Sequence, residues 1–193
     1  MLPTAVKHLL IINLIVFLAT IALERYGLYA ITNSMALWSI QSGLFKIWQP
    51  LTYMFMHASI DHIFFNMFAL WMFGCILENY WGTKRFLIYY LVCGLGAAAI
   101  NLLVAPGGPT VGASGAVYGI LLAFGMTFPN EYIYLYFLLP IKAKWFVVIY
   151  AALELFEGVS HSMDGIAHFA HLGGMLFGLL LILWWRKHPF RNY

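Results

Sequence analysis

Long apolar runs, separated by short polar turns, decide what this chain can become. Six stretches read as membrane helices: about Ala5–Leu23, Asp61–Leu77, Phe86–Val104, Ser114–Phe128, Trp145–Phe156 and Ile166–Trp185. A helix rising 1.5 Å per residue needs roughly 20 apolar residues to cross the hydrocarbon layer. The first, third and sixth runs meet that length, whereas the fourth and fifth are short. Lipid leaves no open backbone group satisfied, so the expected fold class is an all-α membrane protein, a six-helix bundle. Only 9% of the 193 residues are charged and 63% are hydrophobic. A soluble domain carries roughly 25% charged residues, so water is not the main solvent of this chain. The length suits a single domain, residues 1–193.

The basic residues orient the bundle. Six spans bring both termini to one side, which then collects Lys7, Lys84, Arg85, Lys142, Lys144, Arg186, Lys187 and Arg191. The other side keeps only Arg25 and Lys46. Short loops rich in Lys and Arg face the cytoplasm, so both termini are expected there. The first run has a lysine ahead of its apolar stretch, as a signal peptide would. No convincing small-x-small cleavage site follows, so it reads as an uncleaved first span. Cys75 and Cys93 both lie in apolar runs and read as buried free thiols. The loop from Arg25 to Ile60 carries Trp38, Phe45, Trp48 and Tyr53, an aromatic content that suits short helices lying in the interface. Tyr132–Leu139 alternates aromatics in a strand-like way and is expected as an interfacial loop on the cytoplasmic side.

Against this apolar background, three polar clusters stand out. Hydrogen-bonding or ionisable groups at membrane depth are functional candidates by default. In the first cluster, Gly112-Ala113-Ser114-Gly115 opens the fourth apolar run. The first N–H groups of a helix have no intrahelical acceptor, so Ser114 could offer both a hydroxyl nucleophile and an oxyanion donor. An N-cap serine in a small-residue packing motif is the plainer alternative. The second cluster is Ala170-His171-Leu172-Gly173-Gly174. His171, Gly174 and Gly178 share one helix face, and Gly115 and Gly119 stand one turn apart on the fourth run. Small residues in such spacing let membrane helices approach closely, which could bring an imidazole onto the Ser114 hydroxyl. His168, one turn earlier, is the rival for the base. Tyr118 either supports the imidazole or is a core tyrosine. In the third cluster, His62 and Asn66 share a face at i, i+4, and both can donate to a developing oxyanion or simply hold a helix interface. His57 precedes them and is expected to tie down the loop. No acid obviously completes a triad. Asp164 precedes His171 by seven residues but is expected at the helix start, so the reading is a Ser–His dyad with the third member open.

These residues together resemble those of a rhomboid intramembrane serine protease. The resemblance rests on Gly112-Ala113-Ser114-Gly115 with Tyr118, on Ala170-His171-Leu172-Gly173-Gly174 with Gly178, and on His57, His62 and Asn66. It covers nearly the whole chain. It implies Ser114 as nucleophile, His171 as general base, and the Ser114 N–H, His62 and Asn66 around the oxyanion. It also favours His171 over His168, because only His171 carries the downstream glycines. The family often has Trp-Arg in the first loop, where this chain has Trp48-Gln49, which leaves loop anchoring in question. Glu78 resembles a family position that holds the cytoplasmic loop.

The expected activity is therefore endopeptidase cleavage in or near transmembrane segments of membrane proteins, without cofactor or metal. The expected partners are such substrates and the lipid bilayer, with no nucleic acid, and the expected location is the bacterial inner membrane. A substrate helix would approach laterally, beside the fifth and second spans. Two other classes compete. One is a catalytically inactive relative that binds transmembrane segments. The other is a metal or haem protein using His57, His62, His168 and His171, although the chain has no His-Glu-x-x-His.

Overall fold

The computed structural model describes residues 2–104, 108–135, 138–160 and 167–188. Helix α1 runs Thr4–Arg25, and the following loop is built on short helices, α2 (Tyr29–Met35) and α3 (Gln49–Thr52). Helix α4 (Ile60–Ala69) passes through one π turn, Leu70–Gly74, into α5 (Cys75–Trp81). Then come α6 (Thr83–Val104), α7 (Ser114–Thr127), α8 (Ala143–Val159) and α9 (His168–Lys187). Among the described residues, four helical runs are long and apolar enough to cross a membrane: α1, the continuous Ile60–Trp81, α6 and α9. Helix α7, with 14 residues, and α8, with 17, fall short of that length.

The second run outlasts its expected end at Leu77. A charge at position 78 suggests a membrane boundary, but Glu78 turns inward and is buried. Its carboxylate accepts the Ala5 and Val6 N–H groups at 2.8 Å each and the Thr83 hydroxyl at 2.7 Å. It thus satisfies open donors at the start of α1, where negative charge also suits the helix dipole. The helix stops instead at Gly82, with φ of +81°.

Helix α6 is the hub. Its buried side includes Cys93, Gly94, Gly96, Ala97 and Ala98, small residues that let α7 and α9 lie close on it. Large apolar side chains on the outer helices, such as Ile15 and Leu18 on α1 and Leu155 and Phe156 on α8, point outward. This inverted distribution matches a lipid solvent.

Two loops depart from expectation. At the two ends of Tyr132–Leu139 the chain forms strands, β1 (Tyr132–Leu135) and β2 (Leu139–Lys142), which pair antiparallel with Ile133 opposite Ile141. The alternating pattern there produces real strand pairing, so the bundle is not purely helical. In the first loop, Gln49 replaces the expected guanidinium and is fully buried. Its Oε1 accepts the Trp38 N–H at 3.1 Å, and its Nε2 donates to the Ser34 and Leu44 carbonyls at 3.3 and 3.0 Å. Trp48 Nε1 adds a bond to Ser34 O at 2.9 Å. An amide carries both donor and acceptor, so this neutral side chain holds the loop that an arginine was expected to hold.

Candidate active site

Ser114 is the first residue of α7, so its N–H belongs to the helix-start group without intrahelical acceptors. The segment before it is pinned on both sides. Leu37 and Thr110 exchange backbone hydrogen bonds at 2.9 Å, and Gly112 N–H donates to Tyr53 O at 2.9 Å. Gly112 has φ of +132°, a conformation side chains rarely adopt. A Cβ there would also lie 2.7 Å from His62 Nε2 and 3.5 Å from Ser114 Oγ. Glycine therefore leaves open the space between the hydroxyl and the imidazole of His62.

His171 sits on α9 with its Nε2 2.8 Å from Ser114 Oγ. The approach depends on missing side chains. A Cβ on Gly174 would overlap the Gly115 carbonyl, one on Gly115 would overlap Ala97 Cβ, and one on Gly178 would overlap the Tyr89 hydroxyl. The Tyr118 ring stacks flat on the His171 ring, with centroids 4.3 Å apart and planes within 7°. This fixes the plane in which the imidazole can lie.

Behind the imidazole stands a residue that sequence reading missed. Glu154, buried on α8, has its Oε2 2.9 Å from His171 Nδ1 and 2.8 Å from His168 Nδ1. Its Oε1 accepts the Tyr118 hydroxyl in a short hydrogen bond. Its partners are 17, 14 and 36 residues distant, so no local spacing announces them. The available signal was an acid between Leu153 and Leu155, costly in lipid without a partner. His168, the rival base, touches this carboxylate, and its ring centroid is 6.3 Å from that of His171. Asp164 lies outside the described residues.

The opposite wall carries His62 and Asn66. His62 Nδ1 accepts the Ala58 N–H at 3.4 Å, so a neutral ring keeps its proton on Nε2, the nitrogen facing Gly112. Asn66 Nδ2 gives one hydrogen to the His62 carbonyl at 2.8 Å and retains a second. Both side chains line a cavity of about 610 Å³ together with Ser114, Tyr118 and His171. His57 does not line it. It is buried with its ring edge-on to His62, centroids 5.0 Å apart. Burial first, and the neighbouring His62 second, push its imidazole down to about 3. Glu154, His168 and His171 also bring metal-ligand atoms within 4.8 Å of one another.

Residues 44–188 match the family model of the Rhomboid domain. The chain belongs to the rhomboid family. Among curated relatives, the rhomboid protease GlpG of Photorhabdus laumondii is 28% identical over 95% of this chain and 62% of its own length. The rhomboid protease GluP of Bacillus subtilis is 33% identical over 68% of this chain and 24% of its own. RHOMBOID-like protein 1 of Arabidopsis thaliana is 32% identical over 70% of this chain and 34% of its own. The chain thus spans only 24% to 62% of the length of these rhomboid relatives. Family membership and the apolar helices make it an integral membrane protein.

Proposed function

We propose that this rhomboid is an intramembrane serine endopeptidase acting on transmembrane segments of other membrane proteins. The observation that carries the reading is the 2.8 Å contact between Ser114 Oγ and His171 Nε2, at the wall of a cavity lined by further donors. In the proposed reaction Ser114 Oγ attacks the scissile carbonyl and His171 Nε2 takes its proton. The resulting oxyanion lies toward the Ser114 N–H, His62 Nε2–H and the free Asn66 amide hydrogen. Collapse breaks the C–N bond, and His171 returns the proton to the leaving amine. Water, deprotonated by the same imidazole, then hydrolyses the acyl-enzyme. The substrate must unwind locally, because a helical carbonyl already accepts a hydrogen bond.

All six helices are taken to lie in the bilayer, with both termini cytoplasmic. The clustering of eight of the ten basic residues on one side supports that orientation. The shortness of α7 then puts Ser114 below the opposite surface, where polar backbone is tolerated if it lines a wet cavity.

The test is cleavage of a fluorescently tagged transmembrane segment by the purified protein in lipid vesicles. Ser114→Ala and His171→Ala are expected to abolish cleavage while leaving thermal stability near wild type. Retained cleavage by Ser114→Ala would refute the assignment. Covalent labelling of Ser114 by a fluorophosphonate separates an active protease from an inactive segment binder. The clustering of Glu154, His168 and His171 favours one competing reading, a metal site. Elemental analysis of purified protein, repeated on Glu154→Gln, decides it: stoichiometric metal lost on substitution would establish that site.

A further inference from the structure

We infer that Glu154 is a positioning residue for His171, making the centre a Ser–His–Glu triad whose carboxylate is itself held from two helices. The inference rests on the protease reading above. A neutral imidazole carries one proton on either nitrogen, and only the Nδ1–H form leaves Nε2 free to accept from Ser114. A carboxylate accepts and cannot donate. With Oε2 2.9 Å from His171 Nδ1, Glu154 selects the productive tautomer and opposes the positive charge that forms when His171 takes the Ser114 proton. Such opposition counts for more in surroundings that exclude water.

The carboxylate is in turn oriented. Tyr118 donates to Oε1 from α7, and His168 Nδ1 meets Oε2 at 2.8 Å from α9. His168 Nδ1 also lies 3.4 Å from Glu157 Oε2, so a second α8 carboxylate stands on the same side of that ring. Tyr118 acts twice: its ring stacks on His171 while its hydroxyl fixes the acid behind that same ring. A buried acid of merely structural purpose would not need to meet the one nitrogen whose protonation decides whether the serine can be activated.

The test compares wild type, Glu154→Gln and Tyr118→Phe by three readouts: the fluorophosphonate labelling rate, kcat against KM on a transmembrane segment, and the His171 tautomer from nitrogen-15 NMR. Glu154→Gln can present an amide N–H to Nδ1 and so favours the wrong tautomer. Labelling and kcat should fall steeply, by up to about 10⁴-fold, the loss that amide-for-acid replacement causes in a Ser–His–Asp protease, with KM within about twofold of wild type. The His171 signal should move from Nδ1–H to Nε2–H. Tyr118→Phe keeps the stacked ring and removes only the hydroxyl, so a fall of about tenfold is expected even if Glu154→Gln does not fold. Wild-type labelling rates in both variants, or in Tyr118→Phe alone when Glu154→Gln is unfolded, would overturn the triad and leave the protease reading intact. Absence of labelling in wild type would instead overturn the protease reading.

Discussion

At the scale of single residues, the proposed site separates groups assigned to the reaction from groups assigned to hold them. His62 and Asn66 face the cavity with one hydrogen each to spare. His62→Ala and Asn66→Ala should each lower kcat by about 10²–10³-fold, as loss of one oxyanion donor does elsewhere. KM should barely move, because the donors meet charge that exists only on the way to the intermediate. Steady-state kinetics on a reconstituted substrate would separate the two constants. His57 belongs to the holding group. Its imidazole, pushed down to about 3 by burial and by His62, stays neutral when folded, while the unfolded ring takes up a proton near pH 6.5. The stability this neutral ring contributes is complete above about pH 6.5 and is lost as the pH falls towards 3. Thermal unfolding of His57→Gln should therefore decline less steeply with acidification than that of wild type across this window.

At the scale of elements, helix contact is set by what glycine leaves out. A methyl group on Gly174 would occupy the place of the Gly115 carbonyl. Gly174→Ala should push α9 off α7, lowering stability by about 1–3 kcal/mol, and should reduce labelling of Ser114 out of proportion to that loss. Unfolding midpoints and labelling rates on the same preparation would test this. The elements also show how far the sequence could be read. Ser114 and His171 were legible because each is an oddity in an apolar run and each is followed by small residues at helical spacing. Glu154 is an equal oddity, but its meaning lies in partners on two other helices, which no spacing within Trp145–Phe156 encodes. The run past Leu77 was hidden because a glutamate that caps another helix looks, in sequence, like one that meets water. Gln49 shows the converse case, in which a substitution for arginine keeps the anchoring by using an amide's two kinds of polar atom.

At the scale of the whole molecule, the outward-facing apolar belt and the uneven basic charge make one joint prediction about orientation. Cysteines introduced by Lys7→Cys and Lys187→Cys, in a Cys75→Ser, Cys93→Ala background, should react with a membrane-impermeant maleimide from the same side of the bilayer. Reaction from opposite sides would show an odd number of crossings. The charge asymmetry follows from counting basic residues once six spans are assumed, whereas the depth of Ser114 depends on where α7 begins relative to its neighbours.

Helix α8 carries the acid that clasps Tyr118 on one neighbour and two histidines on another, yet much of its apolar length is exposed. Were this helix to swing aside to let a guest helix in, the clasp would unfasten and the imidazole would lose its orienting anion. Admission and reaction would then exclude each other in time, and a guest would be cut only after the wall had shut behind it.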